Sequence, residues 1–306
     1  MDDKQKNYKT EWSFSFEKLG GDIRDFFKDI GANTEEEIKS GHFEAPVAGA
    51  TAANVRIDLS VGEADIRALA DTAADQVISA DVVYVGEIRF SAENVEGTRV
   101  VALSQAAGAK QWFRGALGWI ASKKNLRWNV GLTPTIPIDL DVRGGVGEST
   151  LDLRGLKLSK LHVSGGAGEI KVFLPAGTYE AGIDVGVGEI ELVVVSGAHL
   201  DLNIGGGVGE IELTVEDGAT IASKIRGGVG EVKVSVPEST PTTVTAKTGI
   251  GAINLPSRFV KVSDAGGSGI GTGSGVWQTP GFEGAVADTR PIIIHYDGGI
   301  GSFVLR

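Results

Sequence analysis

The sequence predicts an all-β chain, a single-stranded β-solenoid with coils of about 21 residues. Two observations carry this. A Gly-x-Gly-Glu motif recurs, and the glycine before the glutamate falls at Gly147, Gly168, Gly188, Gly209 and Gly230, in steps of 21, 20, 21 and 21 residues. Each motif then opens a strict alternation such as Glu210, Ile211, Glu212, Leu213, Thr214, Val215. That is the period of a half-buried strand with Ile211, Leu213 and Val215 facing inward. Helix is disfavoured here, because glycine at this density weakens helices and the period is not 3.6.

The remaining parts of each coil follow in order. A turn closes each strand, as in Pro175–Gly177 and Glu216–Gly218. A second alternating run with Leu200, Leu202 and Ile204 returns the chain to the glycine corner. Decayed copies stand at Gly251 and Gly301, and earlier relatives at Gly62 and Gly86. Coils of about three strand-and-bend units are expected to stack at about 4.8 Å, so that equivalent residues form columns. Glycine is expected at the corner because the bend needs positive φ and a Cβ would strike the next coil.

Two outward columns carry charge. In one, Lys171 is expected to face Glu191, and Glu212 to face Lys233. The other stacks Glu148, Glu169, Glu189, Glu210 and Glu231. Glu169, Glu189, Glu210 and Glu231 are candidate calcium ligands, but a solvated structural column is the preferred reading, since the repulsion between such charges in water is only about 0.8 kcal/mol. The calcium-binding nonapeptide repeat does not fit a 21-residue step. No metal and no cofactor are expected.

Composition narrows the function. A net charge of −11 on 306 residues argues against nucleic acid as the partner. The absence of cysteine removes disulfides and thiolate chemistry. No apolar run is long enough to span a membrane, and the first residues lack a basic-then-apolar leader. The expected location is the cytoplasm, with peripheral contact at the inner face of the membrane as a further option. Scattered histidines and the lack of a Gly-x-Ser-x-Gly elbow give no catalytic constellation, so no enzyme is expected.

Two blocks carry a family resemblance: NVRIDLSVGEADIRAL with VISADVVYVGEIRFSAE, and LRWNVGLTPTIPIDLDVRGGVGESTLDLRGLKLSKLHVSGGAGEIKVFLP. They resemble the bacterial toast-rack family, which groups with adhesin-type domains and with the C-terminal domain of LiaF-type cell-wall-active-antibiotic response proteins. The resemblance implies a right-handed β-helix, association with envelope-stress systems and no known enzyme activity.

The domains expected are an N-terminal arm over 1–44, a toast-rack module over 45–107, a basic aromatic insertion over 108–127, and the solenoid with closing strands over 128–306. In the arm, Leu19, Ile23, Phe26, Phe27 and Ile30 share one face of a short amphipathic helix, read as a cap or a partner-binding element. The insertion holds Trp112, Phe113, Arg114, Trp119, Lys123 and Lys124 and no acidic residue, a composition that suits an anionic membrane surface or a partner. The stretch from Asp264 to Glu283 reads as a flexible insertion. The function expected is a non-enzymatic scaffold or interaction module of a bacterial envelope-stress response. Its partner would be another protein, or a second copy through the solenoid ends. The alternative is a carbohydrate-binding or carbohydrate-active β-helix at the cell surface. The final coil, HYDGGIGSFVLR, is expected to close the C-terminal end.

Overall fold

The computed structural model describes residues 38–59, 61–70, 75–106, 126–264, 274–284 and 290–306. The chain divides into two units, and the described residues belong to the one formed by 37–107 and 125–306. Leu19, Ile23, Phe26, Phe27, Ile30, Trp112, Phe113, Arg114, Trp119, Lys123 and Lys124 lie outside the described residues.

Among the described residues seventeen strands follow in chain order: β1 (Lys39–Pro46), β2 (Ala52–Asp58), β3 (Glu63–Ala68), β4 (Gln76–Tyr84), β5 (Glu87–Val95), β6 (Thr98–Ala106), β7 (Arg127–Leu132), β8 (Ile138–Arg143), β9 (Val146–Asp152), β10 (Leu158–Leu174), β11 (Gly177–Val194), β12 (Ala198–Val215), β13 (Thr220–Ser235), β14 (Thr242–Asn254), β15 (Val260–Ser263), β16 (Ser274–Gln278) and β17 (Ile292–Leu305). β11 and β12 are each 18 residues long, far beyond an ordinary strand, because each is a whole coil bent once at its glycine corner. A coil is therefore two arms, one bend and one tight turn, not three strand units. Along β12, burial alternates through Leu200, Leu202 and Ile204 on the first arm. It resumes in the opposite parity at Ile211, Leu213 and Val215 on the second. The bend uses up the odd residue that turns both apolar faces toward each other, and one continuous core fills the space between the arms.

The stack is parallel and in register. Gly168 pairs with Gly147, Gly188 with Gly168, Gly209 with Gly188, and Gly230 with Gly209. Rung order departs from chain order at both ends. β17 lies between β13 and β14, so that Gly230 pairs with Gly301 and Gly301 with Gly251. The final coil does not close the end; it is an interior rung, and β14 lies outside it. At the other end, the β2–β3 coil sits between β8–β9 and the β6–β7 pair.

Antiparallel strands cap the stack. β5 covers β6, while β4 covers β7 and is covered in turn by β1. β16 covers only the first arm of β14, and β15 covers β16. Part of the segment read as a flexible insertion is thus a capping strand. The second arm of β14 has no capping strand among the described residues. Trp128 is in β7, 1% exposed.

The bend face as candidate functional site

The bend is the feature repeated on every rung, and steric necessity fixes its sequence. At Gly209, φ is +142°, and a Cβ there would sit 1.7 Å from the carbonyl oxygen of Gly188. Gly207 forms a second column, where a Cβ would sit 2.1 Å from the Gly186 carbonyl oxygen. Between these two side-chain-free columns stands one side chain per rung. Val187, Val208, Val229, Ile300 and Ile250 follow one another up the stack. They are 40%, 51%, 45%, 53% and 68% exposed. Four steps at about 4.8 Å make an apolar ridge about 19 Å long. Its signal was present in the sequence as the V or I of each G-V-G-E or G-I-G, but alternation alone does not say that this position faces water.

Beside the ridge runs the carboxylate column. Glu169 pairs in register with Glu148 and Glu189, Glu189 with Glu210, and Glu210 with Glu231. The neighbouring outward column carries cations at Lys171 and Lys233. Lys171 Nζ donates to both carboxylate oxygens of Glu191 at 2.6 and 2.7 Å. Lys233 donates to Glu210 and also reaches Glu231 at 3.2 Å. Glu212 is the register neighbour of Lys233, as expected. Yet the ammonium turns to the glutamates nearer the bend, where two carboxylates stabilise it instead of one. Glu231 also accepts a hydrogen bond from Ser302 at 3.0 Å. Glu189 has no cationic partner among the described residues. Partial burial, together with the neighbouring charges of Glu169 and Glu210, raises its pKa above the usual carboxylate value. Among the described residues no group of three or more His, Asp or Glu side chains is placed to hold a metal ion.

The outer surface of the first arms is different in character. Gly182 leaves a gap between His162 and Asn203 in one outward column. A groove of 440 Å³ opens there, with Asn54, Asp139, Asp141, Lys160 and Glu180 also at its walls. Along the same face His199 Nδ1 lies 2.7 Å from Thr220 Oγ1. The four histidines remain apart in the fold: His42 contacts Asp81 at 2.8 Å, while His162, His199 and His295 lie on separate rungs.

A family model described as the N-terminal domain of toast_rack matches residues 29–193, more than half of the chain. The chain belongs to the toast-rack family. That match covers the capped N-terminal rungs and the first coils of this toast-rack protein, and the same register continues through β17. No curated protein matches the chain in sequence. Among solved structures, a "putative cell adhesion protein" from Clostridium sporogenes is 16% identical, with 88% of this chain and 99% of that one covered and a TM-score of 0.42. A "putative adhesin" from Bacteroides fragilis is 15% identical, with 90% and 100% covered and a TM-score of 0.37. Among the described residues no helix is long and apolar enough to cross a membrane.

Proposed function

We propose that this toast-rack protein is a non-catalytic interaction module of a bacterial envelope-stress response. The observation that carries the proposal is family membership together with a rod whose functional groups recur once per rung. A catalytic site concentrates unlike groups at one place, whereas this bend repeats the glycine on successive rungs and the glutamate on those from Glu148 to Glu231. Such a surface suits an extended contact. The basic aromatic stretch, with Trp112, Phe113, Arg114, Trp119, Lys123 and Lys124, is assigned to peripheral contact with an anionic leaflet at the cytoplasmic face. The helix face of Leu19, Ile23, Phe26, Phe27 and Ile30 is assigned to a protein contact.

A deletion strain challenged with cell-wall-active antibiotics tests the role. Altered survival or altered induction of envelope-stress genes is expected, and wild-type behaviour in both would refute it. For the membrane contact, co-sedimentation with anionic vesicles is expected to fall when Trp119, Lys123 and Lys124 are replaced by Ala. Equal sedimentation of both proteins, or none by the wild type, would refute that part.

One observation favours a second reading, a carbohydrate-binding rod at the cell surface: the polar groove around Gly182, where amide, carboxylate and imidazole groups line one opening. Cell fractionation separates the two. Recovery in the wall or the medium favours the carbohydrate reading, and recovery in the cytoplasm or on the inner membrane favours the first.

A further inference from the structure

The two layers of the solenoid have four outer edges, and they are not treated alike. At the N-terminal end the first-arm layer finishes in antiparallel β5 and the second-arm layer in antiparallel β1. At the C-terminal end the first-arm layer finishes in antiparallel β15. These three carry charges: Lys39, His42 and Glu44 on β1, Glu87, Arg89 and Glu93 on β5, and Lys261 on β15. Charged residues and antiparallel caps are the usual protection of a sheet edge. The fourth edge is the second arm of β14, residues 248–254, TGIGAIN. It has neither a charge nor an antiparallel neighbour among the described residues.

The same end is incompletely buried. Ile253 continues the inward column of Ile211, Val232 and Phe303, and Ile253 and Leu255 are only partly covered. Ile250 is 68% exposed, and Val260 and Val262 on the overhanging β15 are 59% and 50% exposed. Among the described residues the first-arm layer therefore extends two strands beyond the second-arm layer, leaving a step with an apolar floor and an unpaired backbone edge.

We infer that this step is a self-association site: the second arm of β14 pairs antiparallel with the same strand of a second copy, giving a tail-to-tail dimer. An antiparallel strand supplies here the cap that the other three edges possess. A two-fold axis makes one contact cover both open edges at once and closes the assembly. In an antiparallel pair, residues directly opposite each other project to the same face. Centring the pair on Gly251 keeps residues 248–254 of both copies in the ladder and sets Ile250 against Ala252 and Thr248 against Asn254, so no like charges meet. The charged β1 and β5 edges oppose head-to-tail addition, so the product is a dimer and not a filament. The inference rests on the reading of the rod as an interaction module and names one partner of it.

The test is the mass of the full chain in solution, by light scattering and sedimentation over a range of concentrations. The expected mass is twice 31.8 kDa. The substitutions Ile250→Lys and Ala252→Lys, made together at these exposed positions, set lysine opposite lysine across the pair. They are expected to weaken the dimer roughly 100-fold with an unchanged circular dichroism spectrum. Glu87→Lys on the β5 edge is expected to leave the mass unchanged. Amides of residues 250–254 are expected to exchange slowly in the wild type and quickly in the double lysine variant. A monomer at every concentration, a dimer indifferent to both lysines, or growth beyond the dimer would each overturn the inference. None of these masses bears on the envelope-stress role, which the antibiotic challenge tests separately.

Discussion

Replacing Gly209 with alanine probes the bend most sharply. The added Cβ would stand 1.7 Å from the Gly188 carbonyl oxygen, roughly half of a normal contact distance, at a φ of +142°. The backbone conformation alone costs a non-glycine residue about 1–3 kcal/mol. Forcing the rungs apart to relieve the overlap adds about 1–3 kcal/mol of overpacking strain. The sum is roughly 2–6 kcal/mol. Gly97→Ala is the control, since its φ is +82° but nothing lies within 4 Å of its Cβ. It carries only the conformational cost of the left-handed region, about 1–2 kcal/mol. Urea denaturation followed by far-ultraviolet circular dichroism compares the two. If Gly209→Ala unfolds at the same urea concentration as Gly97→Ala, the rungs do not approach as closely as the stacking requires, and the reasoning fails.

Other consequences follow from particular side chains. Leu213 is fully buried; Leu213→Ala is expected to cost about 2–5 kcal/mol by cavity formation, read from the same denaturation curves. Lys233→Met removes the cation between Glu210 and Glu231 and is expected to cost on the order of 1 kcal/mol, with the loss shrinking as salt is added. The raised pKa of Glu189, caused first by burial and then by Glu169 and Glu210, means that the folded state holds its proton more tightly than the unfolded chain does. Its penalty is therefore present above the folded pKa and relieved as pH falls toward the ordinary carboxylate value. Glu189→Gln is expected to raise the denaturation midpoint at neutral pH and to flatten this part of the pH profile; an unchanged profile would count against it. His42 runs the other way. Its hydrogen bonds to Asp81 and Glu44 raise its pKa, so its contribution is present below about pH 6.5 and lost as pH rises through the folded value. Hydrogen exchange across β1 and β4 is expected to slow at the lower pH in the wild type but not in His42→Gln, after correction for intrinsic rates.

Much of this architecture was legible in the residues. The column from Gly147 to Gly230 and the inward alternation could be read directly, because a local steric demand repeated on every rung leaves the same letters each time. The Lys171–Glu191 pair followed from register alone. What escaped the sequence was information that no local pattern encodes. Gly251 continues the 21-residue step after Gly230, which suggests consecutive rungs. A parallel ladder depends on register and not on connectivity, however, so β17 can occupy the place between them. Glu212 faces Lys233 in register as the sequence indicates, but the ammonium reaches the carboxylates two residues nearer the bend, which register alone does not reveal. β16 was hidden in a glycine-rich stretch with too few alternating residues to mark a strand. The exposed ridge from Val187 to Ile250 could not be read from the sequence, because a β-branched residue between glycines carries no sign of the face it takes.

The stacking order is open to direct measurement by engineered disulfides, since the chain has no cysteine of its own. Val229 and Ile300 are exposed register partners on adjacent rungs, whereas Ile250 lies one rung further. Adjacent parallel rungs hold their Cα atoms about 4.8 Å apart, within the range a disulfide bridges, and rungs twice as far apart fall outside it. The Val229→Cys, Ile300→Cys double variant is expected to cross-link readily under mild oxidation, and Val229→Cys with Ile250→Cys to remain reduced within the chain. The opposite result would place β14 directly on β13 and contradict the inserted final rung.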